Sequence, residues 1–459
     1  MAADDHRAPG AVLLVSCYEL GHPPLGIAWP KAFLERAGYH PAVHDAALDA
    51  LPDALVERAR FIAIATPMHT ALAIGLEIAA DIRTRNPGAR IAFLGLYAVL
   101  NAGFLLERAA DFVLAGELED ELVALVEAID RGEIPIERAP SPSKKKLRFV
   151  PPSRVGLASL DAYAKLVVGE EERLAASVET SRGCKYLCRH CPIPPIYDGR
   201  VLAVPEDVVL ADIEAVEALG ARHITFSDPD FLNAPNHARR IARALHHRFP
   251  KITFDFTAKI SHLVANAGLI DELAHHGCVF IVSAVESLSD RVLEILDKGH
   301  TRHDVFEAFA ICERSGVTLR PSLLPFTPWS TVSDYLELLA FIESRDLVMS
   351  VDPVQLAVRL LVPPGSLLER DPRMVPHLRA FVPEKLSHAW VHPDPRVDAL
   401  ADRVSALVSA AADAEQDPFD TFQAIAAAAS ASSLDFGAAR RRHAVRARDI
   451  PRLTEPWFC

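Results

Sequence analysis

Residues 181–191 read SRGCKYLCRHC. Three of the chain's seven cysteines, Cys184, Cys188 and Cys191, fall within eight residues in a CxxxCxxC spacing, with no fourth nearby. A structural zinc site normally takes four protein ligands, commonly as two separated pairs. Only one cluster exists here, because Cys278 and Cys312 stand alone within strand and helix patterns. His190 adjoins Cys191 but is poorly placed to close the same tetrahedron. A 4Fe–4S cluster, by contrast, is held by thiolates, one per iron. Three thiolates leave one iron open to a small ligand, so the missing fourth cysteine becomes a binding position.

The cysteines follow ASVETS, the first of six apolar runs that read as strands: ASVETS, RHITFS, ITFDFTAKI, CVFIVSAVES, VTLRPSLLPF and PVQLAVRLL. Helical patterns such as PEDVVLADIEAVEALG and RHDVFEAFAICERSG connect them. The alternation predicts a partial (β/α)6 barrel over residues 175–370, with ligands at the carboxyl ends of its strands. Upstream, AVLLVSCYEL, FIAIATP, ARIAFLGLYA and ADFVLA also alternate with helical segments. They predict a doubly wound parallel sheet over residues 1–135. The fold class is therefore α/β. Residues 136–174 contain IERAPSPSKKKLRFVPPSR and read as a linker, with Lys144, Lys145 and Lys146 as a solvated charge cluster. The alanine-rich residues 371–459 read as a helical accessory region.

Half of the 459 residues are hydrophobic, enough for a packed core in two or three domains. Lys and Arg total 48 against 61 Asp and Glu, a formal charge of −13. That balance argues against a nucleic-acid partner held by phosphate contacts. The first residues, MAADDHRAPG, lack an apolar signal core, and no apolar run is long enough to span a bilayer. The expectation is a cytoplasmic protein without membrane contact, where a tight cysteine cluster is a metal site rather than a disulfide.

The segment VETSRGCKYLCRHC resembles the signature of radical S-adenosylmethionine (SAM) enzymes, with His190 where an aromatic residue is usual. The resemblance implies a 4Fe–4S cluster on Cys184, Cys188 and Cys191, and SAM on the open iron. It also implies an electron donor such as flavodoxin or ferredoxin, and a small-molecule or peptide substrate. Asp228 and Asp230 in FSDPDF stand where the family often carries acidic residues near the cosubstrate, with loop capping as the alternative. Glu286, and more weakly Ser287, stand where similar enzymes meet the ribose; Lys298 reads as a solvated helix-end charge. Pro364, Gly365 and Ser366 resemble the family's Pro-Gly-Thr turn. Phe326 and Trp329 read as pocket or, more commonly, core.

A doubly wound domain ahead of the radical domain resembles the cobalamin-binding class of the family. There the loops after the strands form the corrin floor. Residues 65–71, 94–98 and 115–120 occupy those loops, which makes Met68, His69, Gly95, Gly116 and Glu117 candidate cofactor contacts, with Glu119 completing a Gly-Glu-x-Glu pattern. The DxHxxG motif that supplies a cobalt ligand elsewhere is absent; His22 in SCYELGHPPLG lacks the aspartate and the spacing. Cobalamin is nonetheless expected. Methylthiotransferases that modify transfer RNA also place an α/β domain first, but need three further cysteines there, and this one offers only Cys17. The expected reaction is methyl transfer to an unactivated centre. The alternatives are radical chemistry without cobalamin and a non-catalytic iron–sulfur redox sensor. The final residue, Cys459, resembles the start of a Cys-Cys or Cys-selenocysteine Ala-Glu-Pro tail, which implies a chain cut short at a UGA codon.

Overall fold

The computed structural model describes residues 5–133, 135–431 and 450–455. The first strands are β1 (Val12–Ser16), β2 (Ala42–Asp45), β3 (Phe61–Ala65), β4 (Arg90–Leu94) and β5 (Phe112–Leu114). All pair in parallel, in the order β2-β1-β3-β4-β5. Alternate residues serve opposite faces, the period-two rule of strands. Leu13, Val15, Ile62, Ile64, Ile91 and Phe93 join one core, and Val12, Leu14, Phe61, Ala63, Ala92 and Leu94 the other. Both faces are thus covered, as a parallel sheet requires. The sequence pattern missed β2, whose four residues AVHD carry too little apolar signal.

The second sheet has seven strands in the order β13-β12-β11-β10-β7-β6-β16. Its parallel part comprises β7 (Glu171–Val178), β10 (His223–Phe226), β11 (Thr253–Ala258), β12 (Cys278–Glu286) and β13 (Thr318–Leu323). The strands β6 (Lys165–Val168) and β16 (Arg452–Leu453) extend its edge in antiparallel fashion. A small pair, β8 (Ser181–Gly183) and β9 (Val201–Ala203), opens and closes the excursion that carries the three cysteines. Two expectations are corrected here. The predicted sixth strand, PVQLAVRLL, is a 3-10 turn (Pro353–Leu356) followed by one isolated bridge, Phe326 to Arg359, because Pro353 opens it and removes a ladder donor. The linker's end is sheet rather than free chain, since β6 lies within it.

After the barrel, β14 (Leu378–Val382) and β15 (Ser387–Trp390) form a hairpin not anticipated within the helical region. Helices Pro395–Asp413 and Pro418–Ser430 follow. Leu25, Trp29 and Phe33 of the first helix, Leu25–Arg36, pack into the same core as the barrel strands, so an apolar seam joins the two sheets. Phe326 and Trp329 are core residues. Cys459 and the tail assigned to it lie outside the described residues. Among the described residues no helix is long and apolar enough to cross a membrane.

Candidate active site

The cysteine excursion leaves β7 at the carboxyl edge of the second sheet. Its entry is pinned by Asp228, which follows β10: one oxygen accepts from the Thr180 backbone N–H at 2.7 Å, the other from Thr180 Oγ1 at 2.7 Å and Ser181 Oγ at 2.5 Å. Burial pushes this carboxyl up to about 7 despite those donors. Asp230 accepts from the Leu232 and Lys259 backbone N–H groups and lies 2.7 Å from His262 Nδ1. Of the two readings open for these aspartates, the hydrogen bonds match loop capping.

Cys188 is buried; Cys184 and Cys191 are half-buried. Burial raises the Cys184 thiol and pushes that of Cys191 up to about 12. Such thiols ionise only beside positive charge, which bound iron supplies. Among the described residues no three His, Cys, Asp or Glu side chains gather on a single-ion position. The thiolates of a four-iron cluster each serve a different iron and need no such convergence. The donor set therefore fits the cluster. Two buried lysines border it. Lys259 Nζ donates to Cys188 Sγ at 3.2 Å, and Lys298 Nζ lies 3.0 Å from Glu286 Oε1. The expectation that Lys298 is solvated is corrected: it is 3% exposed.

Glu286 ends β12 in the left-handed region, φ 61°, which costs a non-glycine residue strain. Its carboxylate also stands 3.2 Å from His190 Nε2, so the residue that departs from the usual aromatic ties the cysteine loop to this acid. Burial opposes its ionisation, but Lys298 and His190 together hold it well below the usual carboxylate range. Ser287 is buried, and its Oγ accepts from the Ser289 N–H at 3.1 Å. Ser366 Oγ donates to the Arg189 carbonyl at 3.4 Å, which brings the Pro-Gly-Ser turn against the cysteine loop.

The carboxyl ends of both sheets face a common cavity of about 320 Å3. Met68, Gly95, Leu96, Gly116 and Glu119 line it from the first sheet, and Ser177, Glu179, Arg182, Gly183 and Ser227 from the second. Gly95 (φ 108°) and Gly116 (φ 76°) occupy backbone conformations that glycine favours. A Cβ at Gly116 would stand 2.2 Å from the Ser143 carbonyl oxygen. His69 is turned elsewhere: its Nε2 meets the Lys385 carbonyl at 2.7 Å and its ring stands edge-on to Tyr97. His22 lines the cavity, with Nδ1 buried and unpartnered.

Sequence reasoning missed Arg182. Its guanidinium is buried between the Trp29 and Phe149 rings, 5.3 Å from each, and pairs with Glu119 at 2.8 Å, Glu179 at 2.8 Å and Glu117 at 3.6 Å. Tyr197 OH donates to Glu117 at 3.2 Å. The Gly-Glu-x-Glu loop thus reaches across to the strand pair that opens the cysteine loop. Burial, with two neighbouring carboxylates, pushes Glu117 up to about 7 despite Arg182. The signal available in the sequence was charge: Arg182 sits in an otherwise neutral run, SRG, with no local acid at helical spacing except Glu179.

Residues 178–339 match the family described as the Radical SAM superfamily. The matched stretch runs from the end of β7 through the cysteine loop and the parallel strands that follow. A match to this family implies a 4Fe–4S cluster and SAM. A tRNA-2-methylthio-N(6)-dimethylallyladenosine synthase of Chlorobium phaeobacteroides is 26% identical over 41% of this chain and 44% of its own length. An uncharacterized methyltransferase of Synechocystis sp. is 28% identical over 49% of this chain and 39% of its own. The chain thus spans about two fifths of the length of these curated relatives. Among solved structures, the radical SAM methyltransferase TsrM of Kitasatospora setae, with cobalamin and a [4Fe–4S] cluster bound, superposes with a TM-score of 0.60 at 17% identity, covering 74% of this chain and 73% of that one. The cobalamin-dependent radical SAM enzyme OxsB, with aqua-cobalamin and SAM bound, gives 0.67 at 16% identity, over 87% and 66%. These likenesses establish a shared fold.

Proposed function

We propose that this radical SAM enzyme is a cobalamin-dependent methyltransferase acting on an unactivated centre of a small-molecule or peptide substrate. The observation that carries the reading is the cavity at which the carboxyl ends of both sheets meet. Its walls are largely apolar, with Leu20, Trp29, Met68, Leu96 and Leu118 among them and glycines at two strand ends, which suits a flat macrocycle. When bound, the cluster supplies the electron that cleaves SAM to methionine and a 5′-deoxyadenosyl radical, and cobalamin supplies the methyl group. The protein's own part is to position and exclude. Cys184, Cys188 and Cys191 would hold the iron; Glu286, fixed by Lys298 and His190, would offer its carboxylate to the ribose hydroxyls; Met68, Gly95 and Gly116, which line the cavity, would face the corrin. Reduction is assigned to an external donor such as flavodoxin or ferredoxin.

The name of the Chlorobium relative raises methylthiolation of transfer RNA as a rival. Against it stands the first domain, whose one cysteine, Cys17, is buried in its core. The test is anaerobic reconstitution with iron and sulfide, then reduction with SAM. Formation of 5′-deoxyadenosine is expected, with corrinoid bands in the visible spectrum after loading. Refusal of cobalamin at saturating concentration would end the methyl-transfer reading and leave the radical enzyme.

A further inference from the structure

We infer that Lys259 is a positioning residue that sets the reduction potential of the iron–sulfur centre, by placing a buried ammonium against the Cys188 thiolate. The inference rests on the reading above that the three cysteines hold a 4Fe–4S cluster. Lys259 follows the last residue of β11, where a lysine would ordinarily reach solvent, yet it is 6% exposed. Its Nζ lies 3.2 Å from Cys188 Sγ and 3.6 Å from the centre of the Tyr186 ring, so two residues of the cysteine loop form its seat. The rest of that seat is equally fixed. Asp230 accepts from the Lys259 backbone N–H at 3.1 Å and lies 2.7 Å from His262 Nδ1, and the His262 ring stands edge-on to Tyr186.

Lys298 differs in one respect: it has a carboxylate partner, Glu286, at 3.0 Å. No ion pair to a carboxylate is formed by the Lys259 ammonium among the described residues. A buried cation without a counter-charge is costly, and the anion at hand is the thiolate. Reduction adds negative charge to the centre, and a fixed ammonium at hydrogen-bond distance from a ligand sulfur favours the reduced form over the oxidised one. Cation–π contact with Tyr186 keeps the ammonium there rather than in water.

The test is a redox titration of the full chain, anaerobically reconstituted, with dithionite as reductant and the reduced cluster followed by electron paramagnetic resonance. Lys259→Met should lower the equilibrium constant for reduction at least tenfold, about 59 mV for one electron, with iron and sulfide content unchanged. Lys259→Arg, which restores charge and donors, should stay within about threefold of wild type. A Lys259→Met midpoint equal to wild type with an intact cluster overturns the inference. Should Lys259→Met assemble no cluster, Lys259→Gln keeps a donor without the charge. A midpoint shifted the same way supports the inference, and an unshifted one overturns it. Loss of the cluster from all three variants would assign Lys259 a structural role and also overturn it. Wild-type protein that forms no reducible cluster defeats the underlying reading instead, a separate outcome.

Discussion

Glu117 and Glu286 make an instructive pair. Each closes the carboxyl end of a strand, one in each sheet, and they are 1% and 8% exposed. Burial works against ionisation in both, yet Glu117 is pushed up to about 7 while Glu286 is held well below the ordinary range. The difference lies in the company each keeps. Glu286 has a lysine and a histidine to itself, whereas Glu117 shares Arg182 with Glu119 and Glu179. A strand-end glutamate is thus held ionised in the second sheet, while in the first burial favours its protonated form. The first sheet reaches the cavity mainly with glycine and apolar side chains, and the second holds the buried charges nearest the cysteines.

The most severe test of that contrast is removal of a thiolate. Cys184→Ala, Cys188→Ala and Cys191→Ala should each abolish 5′-deoxyadenosine formation, by more than the roughly 100-fold that loss of an outer-shell partner costs. Chromatographic quantitation checks it, and near-normal turnover in any one would place the chemistry elsewhere. Next in size, Arg182→Met leaves two buried carboxylates, Glu117 and Glu119, and the half-buried Glu179 without their cation and should cost about 3–5 kcal/mol. The expected result in a chemical denaturation curve is an early transition of the first domain, because Arg182 joins the two sheets. An unchanged midpoint would show that the apolar seam alone holds them.

Glu286→Gln removes an ionised acceptor and should weaken SAM binding about tenfold, the scale of one charge-assisted hydrogen bond. Iron content should not change. Calorimetric titration of reconstituted protein decides it, and unchanged affinity would reduce Glu286 to a partner for Lys298. The smallest effect concerns pH. Between about pH 4.5 and 7 native Glu117 keeps a proton that the unfolded chain releases, so stability falls as pH rises, by at most about 1.4 kcal/mol per unit. Glu286 acts oppositely: its contribution is present above about pH 4.5 and is lost as pH falls below that. Glu117→Gln should therefore flatten the decline from pH 5 to 7, and Glu286→Gln should flatten the loss on the acid side. Urea denaturation at several pH values would expose a reversed pattern.

Much of this was legible in the chain itself. Runs such as AVLLVS and FIAIAT declare strands buried on both faces, and three cysteines within eight residues declare a ligand set, because both signals are local. What stayed hidden was pairing across distance. PVQLAVRLL is apolar enough for a strand, but its proline and the neighbouring chain leave it a single bridge. β2 was too short to register, and β16 joins the sheet from nearly 300 residues beyond its partner β6, a neighbour no periodicity announces.

The three-cysteine loop and the two-sheet architecture follow from sequence alone, since spacing fixes which thiols can share a loop and alternation fixes which faces are apolar. The roles of the charged residues do not. Lys259 and Lys298 look alike as letters at the ends of elements, yet one meets a thiol and the other a carboxylate. Arg182 becomes the bond between domains only where folding brings Glu117 and Glu119 to it across 63 to 65 positions. Burial decides how strongly charges act on one another, and tertiary packing alone determines which charges are buried together.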